Sequence, residues 1–274
     1  EKKDAITQLH DVYDIGKHRV ICGDSTDVNV IGRLMNGLFA DMSFIDPPYN
    51  LAPEQFSGFG RNEAVGFVMG AGEMTMNEFV TFLEDIFKNM IRYSKNGSIH
   101  YVCMDWKHQL EIMMAGKLFS EFKNMIVWNK NNGGMGTFYR SKHELIYMFQ
   151  NNQEVAEEFM SELELQNRLK SIDQTGYEEG HELVYIFKNG RDRNINNFKL
   201  GETGRYRTNV WDYPSMSSLN KTSDVTTKDH PTPKPIKLVG DAIMDCSYID
   251  NIITDFCLGS GSTLMASEQT DRVC

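Results

Sequence analysis

Short apolar runs alternate with amphipathic stretches along most of the chain. Arg19–Cys22 reads as a short buried strand that stops at Gly23-Asp24, and Val28–Leu38 suits a short helix. The next strand, in DMSFID, runs through Ser43–Ile45 and must stop at Asp46-Pro47-Pro48, because proline cannot donate to a strand ladder. Leu51–Gly72 is rich in glycine and small residues and reads as a long loop. Thr75-Met76-Asn77-Glu78 is a capping box, and Phe79, Phe82, Leu83, Ile86, Phe87 and Met90 follow it at helical spacing. Asn96-Gly97 ends that unit. Ser98–Cys103 is predicted as a strand, Asp105–Leu118 as a helix and Asn124–Trp128 as another strand. Near the end, Lys234–Cys246 has a helical apolar face, Asn251–Phe256 reads as a strand, and CLGSGSTLMASEQT as a glycine turn opening a helix. Strands alternating with helices imply an α/β layer fold with a mostly parallel sheet.

Between these blocks two segments nearly repeat: HELIYMF at His143–Phe149 and HELVYIF at His181–Phe187. Two copies do not make a solenoid, and the pair reads as one strand duplicated around an insertion. Glu154–Lys170, inside that insertion, has an amphipathic pattern. The insertion also carries much of the charge. The 274 residues have a net charge of −10, yet Asn151–Glu182 alone holds nine acids against two bases. Lys188–Thr208 reverses the sign, with six bases against two acids. An acidic chain argues against a nucleic-acid partner, but this local basic stretch keeps one open. At 41% hydrophobic residues the composition is globular, and no run approaches a membrane span. No signal peptide is visible in the polar EKKDAITQLHD, which points to a cytoplasmic protein. The five cysteines are scattered without a Cys-x-x-Cys, so free thiols are expected and no metal site.

Three stretches carry candidate chemistry. In Asp46-Pro47-Pro48-Tyr49-Asn50 a buried strand ends on an acid, two stiff residues and an aromatic ring. In ITDFCLGSGST a strand ends on Asp255 and enters a glycine turn; Gly259 and Gly261 permit backbone angles and close approaches that a Cβ would block, and the following N–H groups suit an acidic or polar ligand. The turn lacks the third glycine of a dinucleotide fingerprint and the lysine of a phosphate loop. His230-Pro231-Thr232-Pro233-Lys234-Pro235 is an extended run feeding a helix, and Lys234 could hold a carboxylate.

Taken together, Gly-Asp, then Asp-Pro-Pro-Tyr, then His-Pro-Thr-x-Lys-Pro, then Asp-Phe-Cys-x-Gly-Ser-Gly resemble the S-adenosylmethionine-dependent DNA amino-methyltransferases, in the motif order of their beta group. WNKNNGGMGTFYRSKHEL and GRYRTNVWDY are similar to that family's middle region. The resemblance implies a doubly wound, Rossmann-like sheet of the seven-stranded type with an inserted target-recognition region. Residues 1–128 would form the catalytic half, 129–229 the recognition region with the acidic insertion at about 150–182, and 230–274 the cofactor-binding half. It further implies that Asp46 and the Pro47 carbonyl accept hydrogen bonds from the amine of a flipped-out base, that Pro48 stiffens the turn and that Tyr49 stacks on the base. Asp24 would hold the adenine of S-adenosylmethionine; Asp255, Phe256, Cys257, Gly259, Ser260, Gly261 and Ser262 would wrap its methionine end, with Thr232 and Lys234 nearby. Asn50, Trp128, Arg140, Arg205 and Arg207 are the candidates for DNA contact, with a buried sheet aromatic as the other reading of Trp128 and ordinary surface residues as the other reading of the arginines.

The implied activity is methylation of adenine N6 in double-stranded DNA, since the family's N4-cytosine enzymes more often carry Ser where Asp46 stands. N4-cytosine methylation is the alternative within the family. Methylation of a protein glutamine, known from an Asn-Pro-Pro-Tyr relative, is disfavoured by the Asp and the motif order. A bacterial or phage restriction-modification setting follows from the resemblance, and a homodimer or a restriction partner is compatible with it. Two departures stand out. Cys257 occupies a position where the family usually has Phe, and the family's pattern continues beyond TDRVC with a strand bearing an acid for the ribose. They set a catalytically impaired DNA- or nucleotide-binding module beside the enzyme reading.

Overall fold

A computed structural model of the chain describes residues 6–51, 70–130, 143–144, 148–150, 182–198, 207–214 and 233–274. The predicted helix at Glu154–Lys170 and most of the loop at Leu51–Gly72 lie outside the described residues. A hairpin of β1 (Val12–Ile15) and β2 (His18–Ile21) precedes helix α1 (Val28–Met35). Strand β3 (Ala40–Ile45), helix α2 (Met76–Arg92) and strand β4 (Ser94–Asp105) follow, then helix α3 (Gln109–Ala115) and strand β5 (Glu121–Asn129). Short strands β6 (His143–Glu144) and β7 (Met148–Gln150) come next, then β8 (Glu182–Lys188) and β9 (Val210–Asp212). The chain closes with helix α4 (Ile236–Cys246), strand β10 (Ile253–Thr254) and helix α5 (Ser262–Gln269).

The main sheet runs β10-β3-β4-β8-β7-β5-β6, with β9 paired to β5. β10, β3 and β4 are parallel, whereas β8 is antiparallel to both β4 and β5. Side chains alternate across it with the strand period of two. Met42, Phe44, Ile99, Tyr101 and Cys103 pack with Leu238, Val239, Ala242 and Ile243 of α4. Ile45, Val102 and Met104 face the other way, into α2 and α3. Helices therefore cover both faces, which is the doubly wound α/β arrangement. Among the described residues no helix is long and apolar enough to cross a membrane.

Helix α2 forms as its sequence dictates. Thr75 Oγ1 accepts from the Glu78 N–H while Glu78 Oε2 accepts from the Thr75 N–H at 2.8 Å. All six periodic apolar residues are buried, each worth about 1.5–3 kcal/mol of transfer free energy. Other elements depart from expectation. Asn96-Gly97 does not precede the strand but makes a bulge within β4, where the register on β3 jumps from Ala40↔Ser94 to Met42↔Ile99. The predicted helix at Asp105–Leu118 is broken into a tight turn at 106–108, α3, and a second tight turn at 116–118. Asp105 Oδ1 takes the His108 N–H at 3.1 Å and tightens the start, and Gly116 weakens the end. The predicted strand at Asn251–Phe256 contracts to β10, with Ile252 bridged to Val273.

Both copies of the repeat lie in the sheet. The second forms β8; the first supplies β6 and β7. Phe149 and Phe187, equivalent in the two copies, both stand opposite Phe122 of β5, and Gln150 and Lys188 both stand opposite Glu121. β7 and β8 are also paired with each other, Met148 with Ile186 and Phe149 with Phe187.

A polar row crosses the middle of the sheet. Ser43 pairs with Thr254 on β10 and with His100 on β4. Its hydroxyl lies 2.7 Å from Thr254 Oγ1 and 3.0 Å from His100 Nδ1, and Ser98 Oγ lies 2.9 Å from His100 Nε2. Burial pushes the His100 pKa down to about 3, so the ring is neutral and its nitrogens are both used in the row.

Candidate active site

The C-terminal ends of β3 and β10, adjacent parallel strands, deliver Asp46 and Asp255 to the same edge of the sheet. Open α/β sheets place ligands at such an edge. At the end of β3 the Asp46 carboxylate is held from two sides. Tyr49 OH donates to Oδ1 at 2.6 Å, and Lys234 Nζ donates to Oδ2 at 2.7 Å and lies 3.3 Å from Tyr49 OH. Lys234 is buried, at 4% exposure, and a buried ammonium requires such a partner. Pro47 is buried, and the Tyr49 ring packs against the cores on both faces of the sheet.

The turn is held from below by the chain that enters α2. Asn50, in the left-handed region at φ 53°, donates from Nδ2 to Met74 O at 2.8 Å and accepts at Oδ1 from the N–H groups of Gly72 and Met74. Its described contacts make it a staple of the loop. Gly70 passes so close that a Cβ on it would lie 2.7 Å from Pro48 Cβ.

At the end of β10, Asp255 Oδ1 accepts from the Cys257 N–H at 2.9 Å and Oδ2 from Thr263 Oγ1 at 2.6 Å. Burial raises the Asp255 pKa to about 7 despite these bonds and Lys234 nearby, with Asp46 adding to the rise. Gly261, at φ 81°, caps α5 without a side chain, which leaves the helix's first N–H donors to a ligand. Ser262 Oγ donates to the Lys234 carbonyl at 2.9 Å and lies 3.1 Å from Ser260 Oγ. Phe44, Asp46, Lys234, Asp255, Cys257, Gly259, Ser260 and Ser262 line one pocket. Three stretches far apart in sequence thus meet. Burial and the Asp255 and Asp46 carboxyls push the Cys257 thiol up and keep it neutral.

Other candidates sit elsewhere. Phe256 packs against the α1 and α2 clusters, so Cys257 is the residue of that pair that lines the pocket. Asp24 turns its carboxylate onto Thr26, N and Oγ1, at 2.9 and 2.8 Å, and is not among the pocket-lining residues, although neighbouring Ser25 reaches the Cys257 thiol. Trp128 is the buried sheet aromatic, 2% exposed, with Nε1 donating to Tyr213 O at 2.8 Å. Arg207 stacks 3.9 Å from the Trp211 ring and donates to Asp245 Oδ2 and Tyr213 OH, both at 2.8 Å; it clamps the middle region onto α4. Arg140, Arg205 and Thr232 lie outside the described residues. Sequence reasoning missed Thr263, which orients Asp255, and the polar row behind the two acids. Thr263 stands in a helix's first turn, where a hydroxyl is ordinary, and a lone His in an apolar strand carries no signal of its partners.

Residues 40–274 match the model of the N6/N4 methyltransferases, described as DNA methylase. The type II methyltransferase M1.MboII of Moraxella bovis is 26% identical over 239 residues, spanning 84% of this chain and 81% of that one. The type II methyltransferase M.HpaI of Haemophilus parainfluenzae is 24% identical over 235 residues, spanning 85% of this chain and 62% of that one. Among solved structures, the cytosine-N4-specific PvuII DNA methyltransferase superposes with a TM-score of 0.53 at 14% identity, over 92% of this chain and 78% of that one. With both acids, the glycine turn and the sheet that carries them inside the matched span, the chain belongs to the N6/N4 family of DNA methylases, which draw their methyl group from S-adenosylmethionine.

Proposed function

We propose that this chain methylates the N6 amine of adenine in duplex DNA. The observation that carries the reading is Asp46 at the end of β3, beside the Tyr49 ring and lining a pocket with the Asp255 glycine turn. Its carboxylate and the Pro47 carbonyl are two acceptors on one stiff turn, the number that an exocyclic amine with two N–H groups requires. Accepting both hydrogens aims the nitrogen lone pair out of the base plane. Asp46, an anion at that nitrogen, stabilises the positive charge that develops there. Tyr49 offers a ring on which a base taken out of the stack can lie. Most of the rate enhancement then comes from alignment rather than proton transfer.

The pocket's donor set fits S-adenosylmethionine, which supplies an electrophilic methyl group on a sulfonium. The open N-terminus of α5, the Ser260 and Ser262 hydroxyls and Lys234 suit a carboxylate. Asp255 suits a cation. An acid at the first position of the Asp-Pro-Pro-Tyr turn supports adenine. Cytosine N4 is the second reading, favoured by the superposition on a cytosine-N4-specific enzyme.

The test is transfer of labelled methyl groups to unmethylated genomic DNA, followed by digestion to nucleosides and chromatography. N6-methyladenine is expected, with Asp46→Ala abolishing it. N4-methylcytosine as the product would overturn the base assignment, and absence of transfer would overturn the activity.

A further inference from the structure

Lys234 stands where two demands conflict. Its Nζ is 2.7 Å from Asp46 Oδ2, and its own carbonyl is bonded by Ser262 at the start of α5. Its backbone thus belongs to the cofactor side of the pocket while its charge sits on the catalytic acid. If Asp46 stabilises positive charge on the target nitrogen, an ammonium in contact with it cancels much of that effect. The ammonium cannot simply leave, because at 4% exposure it needs an anion wherever it goes. Among the described residues that line the pocket the one further acid, Asp255, is already bonded to the Cys257 N–H and to Thr263, and its pKa is raised to about 7. A second anion comes with S-adenosylmethionine, whose methionine end carries a carboxylate.

We infer that Lys234 is a shared cation: it neutralises Asp46 while the pocket is empty and moves to the carboxylate of the incoming cofactor, releasing Asp46 to the base amine. The inference rests on reading this pocket as the cofactor site. A flexible four-carbon stem on an anchored backbone allows such an exchange, which a guanidinium fork would perform less readily. The consequence is order. An empty enzyme presents a base with a neutralised acceptor, and a loaded one presents an anion, so cofactor binding prepares the catalytic turn without a domain motion.

The inference predicts that a substitution in the catalytic motif tightens cofactor binding. Titration calorimetry compares S-adenosylmethionine with its decarboxylated analogue, which keeps the sulfonium, on the wild-type chain and on Asp46→Asn. The amide no longer competes for Lys234, so Asp46→Asn should favour the full cofactor over the analogue by about fivefold or more relative to wild type, the lower range of coupling between sites. The same preference should disappear when Lys234→Met is added, with thermal melts confirming that each variant is folded. The analogue arm needs no change at Lys234, so it stands even if that variant does not fold. An unchanged preference on Asp46→Asn, or a gain shared by both ligands, overturns the shared cation while leaving the methyltransferase reading intact. Failure of every variant to bind either ligand overturns the cofactor pocket and the inference with it.

Discussion

Replacing Gly70 by alanine tests whether the Asp-Pro-Pro-Tyr turn works by being rigid. Gly70 has φ +70°, and its added Cβ would lie 2.7 Å from Pro48 Cβ. The first cost is conformational, about 1–2 kcal/mol for placing a Cβ in the left-handed region. The second is steric. Pro48 is a ring and cannot rotate aside, so restoring an ordinary contact of 3.4 Å displaces the turn or the loop by about 0.7 Å. Overpacking of that kind costs about 1–3 kcal/mol. Gly16→Ala is the matched control, because Gly16 has φ +61° and nothing within 4 Å of its added Cβ. Urea denaturation should show Gly70→Ala destabilised by about 2–5 kcal/mol, and Gly16→Ala by the conformational part alone. Methyl transfer to genomic DNA, per folded molecule, should fall roughly tenfold in Gly70→Ala, since about 1 Å of misplacement costs on the order of a hundredfold. Gly16→Ala should keep the wild-type rate. A Gly70→Ala enzyme at full rate, or one no less stable than Gly16→Ala, refutes the argument that the loop braces the turn.

Two buried groups give opposite pH slopes. Asp255 titrates near 7 in the fold against an ordinary 3.8, so between those values the folded state keeps a proton that the unfolded chain has lost; its stabilising contribution declines as pH rises through that window, and urea midpoints of Asp255→Asn should lack the decline. The same proton should be released near neutral pH when a cationic ligand binds, measurable by calorimetry of S-adenosylmethionine binding in buffers of different ionisation enthalpy. His100, held near 3 against 6.5, does the reverse: the unfolded chain takes up a proton as pH falls through 6.5, stability drops from there toward pH 3, and His100→Leu should flatten that acid limb. Arg207→Ala removes a charged hydrogen bond to Asp245, which is 1% exposed, and should cost about 1.5–3 kcal/mol in urea denaturation, whereas a solvated arginine would cost almost nothing.

The elements written in local chemistry were legible. The capping box and six-residue apolar face of α2 needed only neighbours within the helix, and the prolines after Ile45 end β3 by removing donors. Asp46, Lys234 and Asp255 could be nominated from their motifs, but the bond from Lys234 to Asp46 spans most of the chain and has no periodicity to betray it. Asn96-Gly97 misled because turn chemistry is local, whereas β4 continues through it under the pairing imposed by its neighbours. Charge was legible only in part. The Lys188–Thr208 stretch kept a nucleic-acid partner open, in keeping with the DNA methylase family, but among its described bases Arg193 passes the bulge at Gly97, at the far end of β4 from Asp46, and Arg207 turns inward to Asp245. A linear count cannot see that partition.

The two copies of the repeated strand meet the same residues of β5 in the same register, Phe149 and Phe187 opposite Phe122, Gln150 and Lys188 opposite Glu121. The sheet therefore contains a spare part. A gene that lost residues 150–187 by recombination between the copies would join Phe149 directly to Lys188, and β5 would find the same backbone partner.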